Sequence, residues 1–438
     1  MASQPGFEPT SHHPERTALV GLVCGGTPRH VAEEHLDELE RLVDTAGGSV
    51  VERLLQERNR PDPATLVGSG FVARLADRCA DLGIVTVVFD EDLTGSQVRN
   101  LERGLPKAVK VLDRAAVILD IFAQRARTRE AQTQVELAQL NYLLPRLTRR
   151  WRHLSRQAGG IGTRGVGETQ LEIDRRLISR RIRQLRDKLD VIERDRRLQR
   201  SRRSDSPSIA LVGYTNAGKS SLFRALTRAP VFVEDRLFAT LDPRARRVAL
   251  GEGVLAVMTD TVGFIRKLPH DLVAPFRSTL EEAAEAELVL HIVDAAHSNW
   301  EDHLRVGDEV LEGLGVGREQ TMVVLNKSDL LARPASLRLP GSRSGTVVSA
   351  VTGAGLDDLR VLIRRTLLAG QDIRFLRVPL EQTDAVERAV KLPHQLAQRF
   401  DQTVLEMAMR IDLRSLTDAG LDGFVVGEWE SADSSGGV

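Results

Sequence analysis

Ser208-Ile209-Ala210-Leu211-Val212-Gly213-Tyr214-Thr215-Asn216-Ala217-Gly218-Lys219-Ser220-Ser221 is the stretch on which the reading of this chain turns. A short apolar run of β-formers leads into G-x-x-x-x-G-K-S, and Leu222, Phe223 and Leu226 follow at helical spacing. Strand, glycine loop and helix, in that order, is the context a phosphate-binding loop needs. Gly213 and Gly218 let the backbone curl so that successive N–H groups point inward. Lys219 brings charge to the β- and γ-phosphates, and the Ser220 hydroxyl is a ligand for Mg²⁺. The stretch therefore predicts a bound nucleoside triphosphate.

Length and composition set the frame. At 438 residues the chain exceeds one ordinary domain, so two to four are expected. Its 42% hydrophobic and 28% charged residues suit a globular protein rather than a disordered or membrane one. No apolar run approaches the roughly 20 residues of a membrane span. The polar start, Met1 to Arg16, lacks the apolar core of a signal peptide, and a cytoplasmic location is the default expectation. Cys24 and Cys79, the only cysteines, have no clustered histidines and point to neither a disulfide framework nor a zinc site.

Net charge is zero, yet Leu171 to Arg203 holds thirteen Arg/Lys against six Asp/Glu. Ala18 to Arg103 alternates apolar strands with amphipathic helices, and Ala108 to Leu112 closes the series as a strand, which predicts a parallel α/β sheet. Gly68-Ser69-Gly70 before a helix is either a phosphate site or a plain cap. From Ala115 the β signal vanishes. Val117 to Leu144 reads as one helix running past Thr128 and bent or interrupted at Pro145. Leu171, Ile178, Ile182, Leu185, Leu189 and Ile192 form the apolar seam of a second, basic helix. The two are expected to fold back as a hairpin around a connector with five glycines between Gly159 and Gly167. On charge alone the hairpin is either a structural arm with a solvated face or a nucleic-acid-binding arm. Near the end, Phe375 to Leu380 and Val404 to Ile411 read as strands, with Ala385 to Phe400 mostly helical between them.

Four further elements follow the P-loop in the order a guanine-nucleotide site requires. Phe238-Ala239-Thr240-Leu241-Asp242 offers Thr240 as a second Mg²⁺ hydroxyl. Asp260-Thr261-Val262-Gly263 ends an apolar strand; Asp260 reaches Mg²⁺ through water, and the Gly263 N–H meets the γ-phosphate. Thr240 and Gly263 define two loops that order with triphosphate and relax after hydrolysis. Asn326-Lys327-Ser328-Asp329 selects the base, because a carboxylate accepts from both guanine N1–H and N2–H₂, which adenine lacks in that arrangement. Ser349-Ala350-Val351 completes the base pocket with a backbone N–H for guanine O6. Lys219, Thr240 and Gly263 are the residues expected to carry catalysis.

With these motifs in place, the chain resembles HflX, a translation-associated GTPase family, over nearly its whole length. The residues that carry the resemblance are Gly213 to Ser220, Phe238 to Pro243 and Asp260 to Ile265. Ile121 to Ala126, Gln134 to Leu147 and Gly160 to Leu171 match as well. The resemblance implies a cytoplasmic GTPase that binds the large ribosomal subunit and its RNA and promotes dissociation of stalled or idle ribosomes. Arg164, Arg175, Arg176, Arg180 and Arg181 are then the candidate RNA contacts. Asn216 is similar to the P-loop asparagine of potassium-activated GTPases, which adds K⁺ to Mg²⁺ as an expected cofactor. Val166 replaces the family's usual proline in the connector. Ser69 and Phe71 stand where lysine is frequent, which weakens the expectation of a second, ATP-binding role.

Phe264 stands where many small GTPases place a water-orienting glutamine. Slow intrinsic turnover is expected, on the order of 10⁻⁴ to 10⁻² s⁻¹, accelerated by a partner. The expected architecture is a multidomain α/β monomer. Its parts are a tail (1–17), an N-terminal α/β domain (18–114), the basic helical hairpin (115–203), a P-loop GTPase domain (206–369), a small C-terminal α/β domain (371–430) and a tail (431–438). Two alternatives remain, a GTP-dependent RNA-remodelling factor and a GTP-switched regulator of a protein partner.

Overall fold

The structure, a computed structural model, describes residues 14–147, 166–201, 207–228, 237–238, 241, 244–251, 254–267, 282–332, 345–368, 373–392, 395–411 and 413–427. The chain divides into two compact units, one built mainly from Met1–Asp187 and the other from Lys188–Leu268 with Phe276–Val438.

In the first unit, β1 (Glu15–Val23), β2 (Gly48–Glu57), β3 (Thr86–Phe89) and β4 (Lys110–Asp113) form a parallel sheet of order β2-β1-β3-β4. Helices α1 (Arg29–Ala46), α2 (Ser69–Leu82) and α3 (Gly95–Gly104) make the crossovers that parallel strands require. Ala32, Leu36, Leu39 and Leu42 recur every three or four residues on the buried face of α1. The helix stops at Gly47, which is left-handed. A capping box starts α3: Thr94 accepts the Gln97 N–H, and the Gln97 side chain accepts the Thr94 N–H at 2.9 Å. Cys79 lies in the core of this unit, where burial pushes its thiol up to about 11.

One helix through Thr128 is not what forms. α4 (Arg114–Arg125) ends, and α5 (Arg129–Leu143) begins with the Thr128 hydroxyl accepting the Ala131 N–H at 3.1 Å. A threonine that satisfies a first-turn donor favours a helix start over a helix interior, and apolar spacing alone does not report it. Pro145 lies in a short 3₁₀ turn, Leu144–Arg146, after α5. The basic helix α6 (Val166–Ser201) follows, with Ile182 and Leu185 buried and Arg181 in a bidentate pair with Glu136 of α5 at 2.7 and 2.8 Å. The connector up to Gly165 lies outside the described residues.

The second unit holds a six-stranded sheet of order β10-β9-β8-β5-β7-β6. Its strands are β5 (Ser208–Gly213), β6 (Arg244–Ala249), β7 (Leu255–Asp260), β8 (Leu288–Asp294), β9 (Thr321–Asn326) and β10 (Gly345–Val347). All neighbours are parallel except β6, which runs antiparallel to β7. Chain order reverses beside β5, and ligands of open α/β sheets collect at the carboxyl ends of strands at such a point. Helices α7 (Lys219–Thr227), α8 (Trp300–Gly313) and α9 (Leu356–Leu368) accompany the sheet.

A third, antiparallel sheet of order β12-β13-β11-β14 contains β11 (Ile373–Pro379), β12 (Gln395–Phe400), β13 (Val404–Arg410) and β14 (Val425–Val426), with α10 (Thr383–Lys391) and α11 (Leu413–Asp418). The helix expected to reach Phe400 ends at Lys391, and Gln395–Phe400 is a strand. Pro393 cannot extend a helix. The Gln395 amide then donates to the freed carbonyls of Val390 (2.6 Å) and Leu392 (3.0 Å).

Arg114 fixes the first unit internally. It is 1% exposed and donates to Asp90 at 3.0 Å, to Glu38 at 2.6 Å and to the His35 carbonyl at 3.2 Å, so it ties α4 to α1 and to the end of β3. Truncating one member of a buried ionic cluster strands the opposite charges. Arg114→Ala is expected to destabilise this unit by about 3–5 kcal/mol in urea unfolding; an unchanged midpoint would contradict the role assigned to it.

Candidate nucleotide site

Gly213 ends β5 at φ 145°, and a side chain there would collide with the Ile292 carbonyl of β8. Gly218 takes φ 89° at the start of α7, where a side chain would strike the Asn326 amide. Both positions need glycine, one for conformation beside a neighbouring strand and one for close approach as well. Between them Asn216 adopts φ 60° and is exposed. Tyr214, Thr215 and Ala217 are buried, while Ser220 and Ser221 are half-buried in the first turn of α7.

Lys219 folds back under this loop. Its ammonium donates to the Gly213 carbonyl at 3.1 Å and to the Tyr214 carbonyl at 2.8 Å. Burial pushes it down to about 8, against the opposing pull of Asp260. The Ser220 hydroxyl donates to Asp260 Oδ2 at 2.7 Å, and Asp260, at the end of β7, is fully buried. A hydroxyl and a carboxylate in contact at the phosphate loop are the hard oxygen donors that Mg²⁺ takes, so these residues fit that ion. Beside them the Thr261 hydroxyl donates to the Leu211 carbonyl at 2.7 Å and fastens this loop to β5, with Val262 buried next to it. Thr261 is thus a structural staple.

The next residues lie on the phosphate loop itself. Phe264 N–H donates to the Gly213 carbonyl at 2.9 Å, and Thr215 N–H donates to the Phe264 carbonyl at 2.7 Å. A side chain on Gly263 would come within 2.9 Å of the Lys219 ammonium. Gly263 and Lys219 are therefore neighbours. Phe264 is 3% exposed with its ring edge-on to His291, so it points into the domain. In the preceding loop, Leu237, Phe238 and Leu241 are buried, with Phe238 at φ 54°. Ala239, Thr240 and Asp242 lie outside the described residues, as does Arg164.

At the base end, Asn326 is a cross-link. Its Nδ2 donates to the Ala217 carbonyl at 3.0 Å, and its Oδ1 accepts the Ala350 N–H at 3.0 Å. Sequence reading placed Asn326 in the nucleotide site without showing that its amide joins two loops. Lys327, at φ 64°, pairs with Asp294 at 2.7 Å. Ser328 N–H donates to the Val348 carbonyl at 3.1 Å. The exposed Asp329 carboxylate is oriented by the Ser349 hydroxyl at 2.5 Å, and that hydroxyl accepts the Thr352 N–H at 3.1 Å. Val351 is exposed at the rim. The geometry presents a carboxylate edge at one end and an ammonium with a hydroxyl–carboxylate pair at the other.

Three family models match consecutive stretches: "GTP-binding GTPase N-terminal" over 33–123, "GTP-binding GTPase Middle Region" over 125–203 and "50S ribosome-binding GTPase" over 208–327. The GTPase HflX of Flavobacterium psychrophilum is 47% identical over 315 residues, covering 72% of this chain and 76% of that protein. The GTPase HflX of Caldanaerobacter subterraneus subsp. tengcongensis is 44% identical over 379 residues, covering 86% of each. The chain belongs to the HflX family of GTPases. As an HflX-family protein it binds GTP and hydrolyses it. A solved GTP-binding protein of Sulfolobus solfataricus in complex with GDP is 25% identical, covers 81% of this chain and 98% of that one, and gives a TM-score of 0.41.

Several residues around the site were not reached from the sequence of this HflX-family chain. Arg266 N–H donates to the Tyr214 hydroxyl at 2.9 Å, and His303 of α8 stacks on the Tyr214 ring at 4.0 Å between centroids. Arg266 follows Phe264 by two residues and so lay within reach of the motif. His303, on a helix with no motif of its own, did not.

The buried lysine sets a pH dependence. Lys219 is expected from the sequence to bind phosphate as the ammonium, and its charged fraction falls as pH rises through about 8. Apparent GDP affinity is expected to fall by about ten-fold per pH unit above that value. Calorimetric titration between pH 7 and 9.5 checks this, with a flat profile expected for Lys219→Met.

Proposed function

We propose that this chain is a slow GTPase whose nucleotide cycle governs residence on the large ribosomal subunit and drives dissociation or rescue of ribosomes in the cytoplasm. The observation that carries the reading is the match of its nucleotide domain, residues 208–327, to the family described as 50S ribosome-binding GTPase. The basic helix gives it a second support: Arg175, Arg176 and Arg180 are exposed on α6, where phosphates of ribosomal RNA would meet them. Arg181 is engaged with Glu136 and serves the hairpin as well.

In this reading Asp329 pairs with guanine N1–H and N2–H₂, and the Ala350 region faces O6. The phosphate loop, Gly213 to Ser220, wraps the phosphates, with Lys219 against the β- and γ-groups. Mg²⁺, held by the Ser220 and Thr240 hydroxyls and reached by Asp260 through water, would neutralise charge developing on the phosphate oxygens. The Gly263 N–H reads the γ-phosphate. Phe264, turned inward, leaves the attacking water without a side chain to orient it, and the chain alone is slow. K⁺ beside Asn216 belongs to the same proposal, since the exposed amide sits at the rim of the phosphate loop. The chain acts as a monomer.

Sedimentation with purified large subunits tests the proposal. With a non-hydrolysable GTP analogue the chain is expected in the subunit peak, and with GDP in the supernatant. Turnover is expected to rise at least about ten-fold with large subunits, to stay low with free ribosomal RNA, and to be faster in potassium than in sodium salts. Replacing Arg175, Arg176 and Arg180 together by glutamate should abolish co-sedimentation. Neither binding nor stimulation by large subunits would defeat the reading, and equal rates in the two salts would remove potassium from it.

A further inference from the structure

The residues after Gly263 are held by side-chain and backbone contacts of their own. Two backbone hydrogen bonds lay Phe264 along the phosphate loop, at Gly213 and Thr215. Two residues on, the Arg266 N–H donates to the Tyr214 hydroxyl at 2.9 Å. The Tyr214 ring is clamped in turn: His303 of α8 lies against it with centroids 4.0 Å apart and planes 5° from parallel, and His297 backs His303 at 4.3 Å. Arg266 is held a second time, by its guanidinium on Asp302 of the same helix, a pair only 14% and 33% exposed. Asp302 also takes Arg305 at 2.5 Å. Against the raising effect of partial burial, Arg305 and Arg266 hold the Asp302 carboxyl below its usual range. Burial, with His297 and Arg266 alongside, pushes His303 down to about 4, so the ring on Tyr214 is neutral at physiological pH.

We propose that Tyr214 and His303 are positioning residues for GTP hydrolysis: with the Arg266–Asp302 pair they latch the Gly263–Arg266 segment onto the phosphate loop and so hold Gly263 beside Lys219. The Tyr214 carbonyl holds the Lys219 ammonium, and the phenol gives this residue a second, separable duty. Because Phe264 contributes no polar side chain, the precision of this segment rests on its backbone, and the backbone is fixed from both ends. Phe264 is tied at Gly213 and Thr215, Arg266 at Tyr214 and Asp302. The aromatic stack makes the hydroxyl a fixed acceptor, since a ring packed face to face with a neutral imidazole has little freedom to swing away.

The inference depends on hydrolysis by the chain itself and not on the ribosomal reading, so its test contains no ribosomes. Single-turnover GTP hydrolysis by the full chain is measured together with GDP affinity and amide hydrogen exchange over residues 263–267. Tyr214→Phe keeps the ring and its stack and loses the acceptor. Its hydrolysis rate should fall about three- to ten-fold, in keeping with the loss of one hydrogen bond. GDP affinity should stay within about two-fold, and exchange at Arg266 should accelerate. His303→Phe, which preserves the stack, should hydrolyse near the parent rate, whereas His303→Ala should behave like Tyr214→Phe. If the Tyr214→Phe rate is unchanged or raised, if affinity falls as far as the rate, or if exchange at Arg266 does not move, the proposal is overturned.

Discussion

A single buried amide joins the two ends of the nucleotide site. Asn326 donates to the Ala217 carbonyl in the phosphate loop and accepts from Ala350 N–H in the base loop, while 1% of its surface is exposed. Gly218 is shaped to pass against it, and any larger residue there would displace the amide. A buried amide that lost either partner would leave polar groups unsatisfied at a cost comparable to the bond itself. The loops following β5 and β9 and the segment after β10 are thus fixed relative to one another by contacts of the chain itself. Asp329, held by Ser349, and Lys219, held by two carbonyls, inherit their spacing from that cross-link.

The phosphate end shows a different economy. Lys219 is buried, and its neighbours are carbonyl oxygens and the Asp260 carboxylate, groups that favour the ammonium against the effect of burial. The Asp260 loop is stapled to β5 through Thr261, and four residues after Asp260 the backbone of Phe264 lies on the phosphate loop. The Asn326 end is thus held by one buried cross-link, whereas the segment after Gly263 is held by a few separable contacts.

Much of this was legible in the sequence. The phosphate loop, Asp260 and Asp329 each combine a local backbone demand with a chemical group at fixed spacing, and the strand–helix alternation of the N-terminal part reports a periodicity that local residues create. What escaped depended on local side-chain hydrogen bonds or on partners distant in the chain. Thr128 as the cap of α5 and Gln395 as the partner of carbonyls at the end of α10 compete with apolar spacing through hydrogen bonds to near neighbours. The burial of Arg114 needs Asp90 and Glu38, brought in from a strand end and another helix. The role of Asn326 as a cross-link and the stack of Tyr214 on His303 exist only once β9, α8 and the phosphate loop are side by side. Sequence spacing records which groups a loop carries; it does not record which remote group holds them.

Calorimetric titration of GDP into Asn326→Ala asks most directly whether this cross-link couples base and phosphate recognition. If the amide sets the spacing of the two ends, GDP affinity should fall by at least about ten-fold, a loss in the range of one or two buried hydrogen bonds, and the preference for GDP over ADP should shrink with it. An Asn326→Ala chain that binds GDP within about two-fold of the parent, with its base preference intact, would show that the loops hold their positions without it.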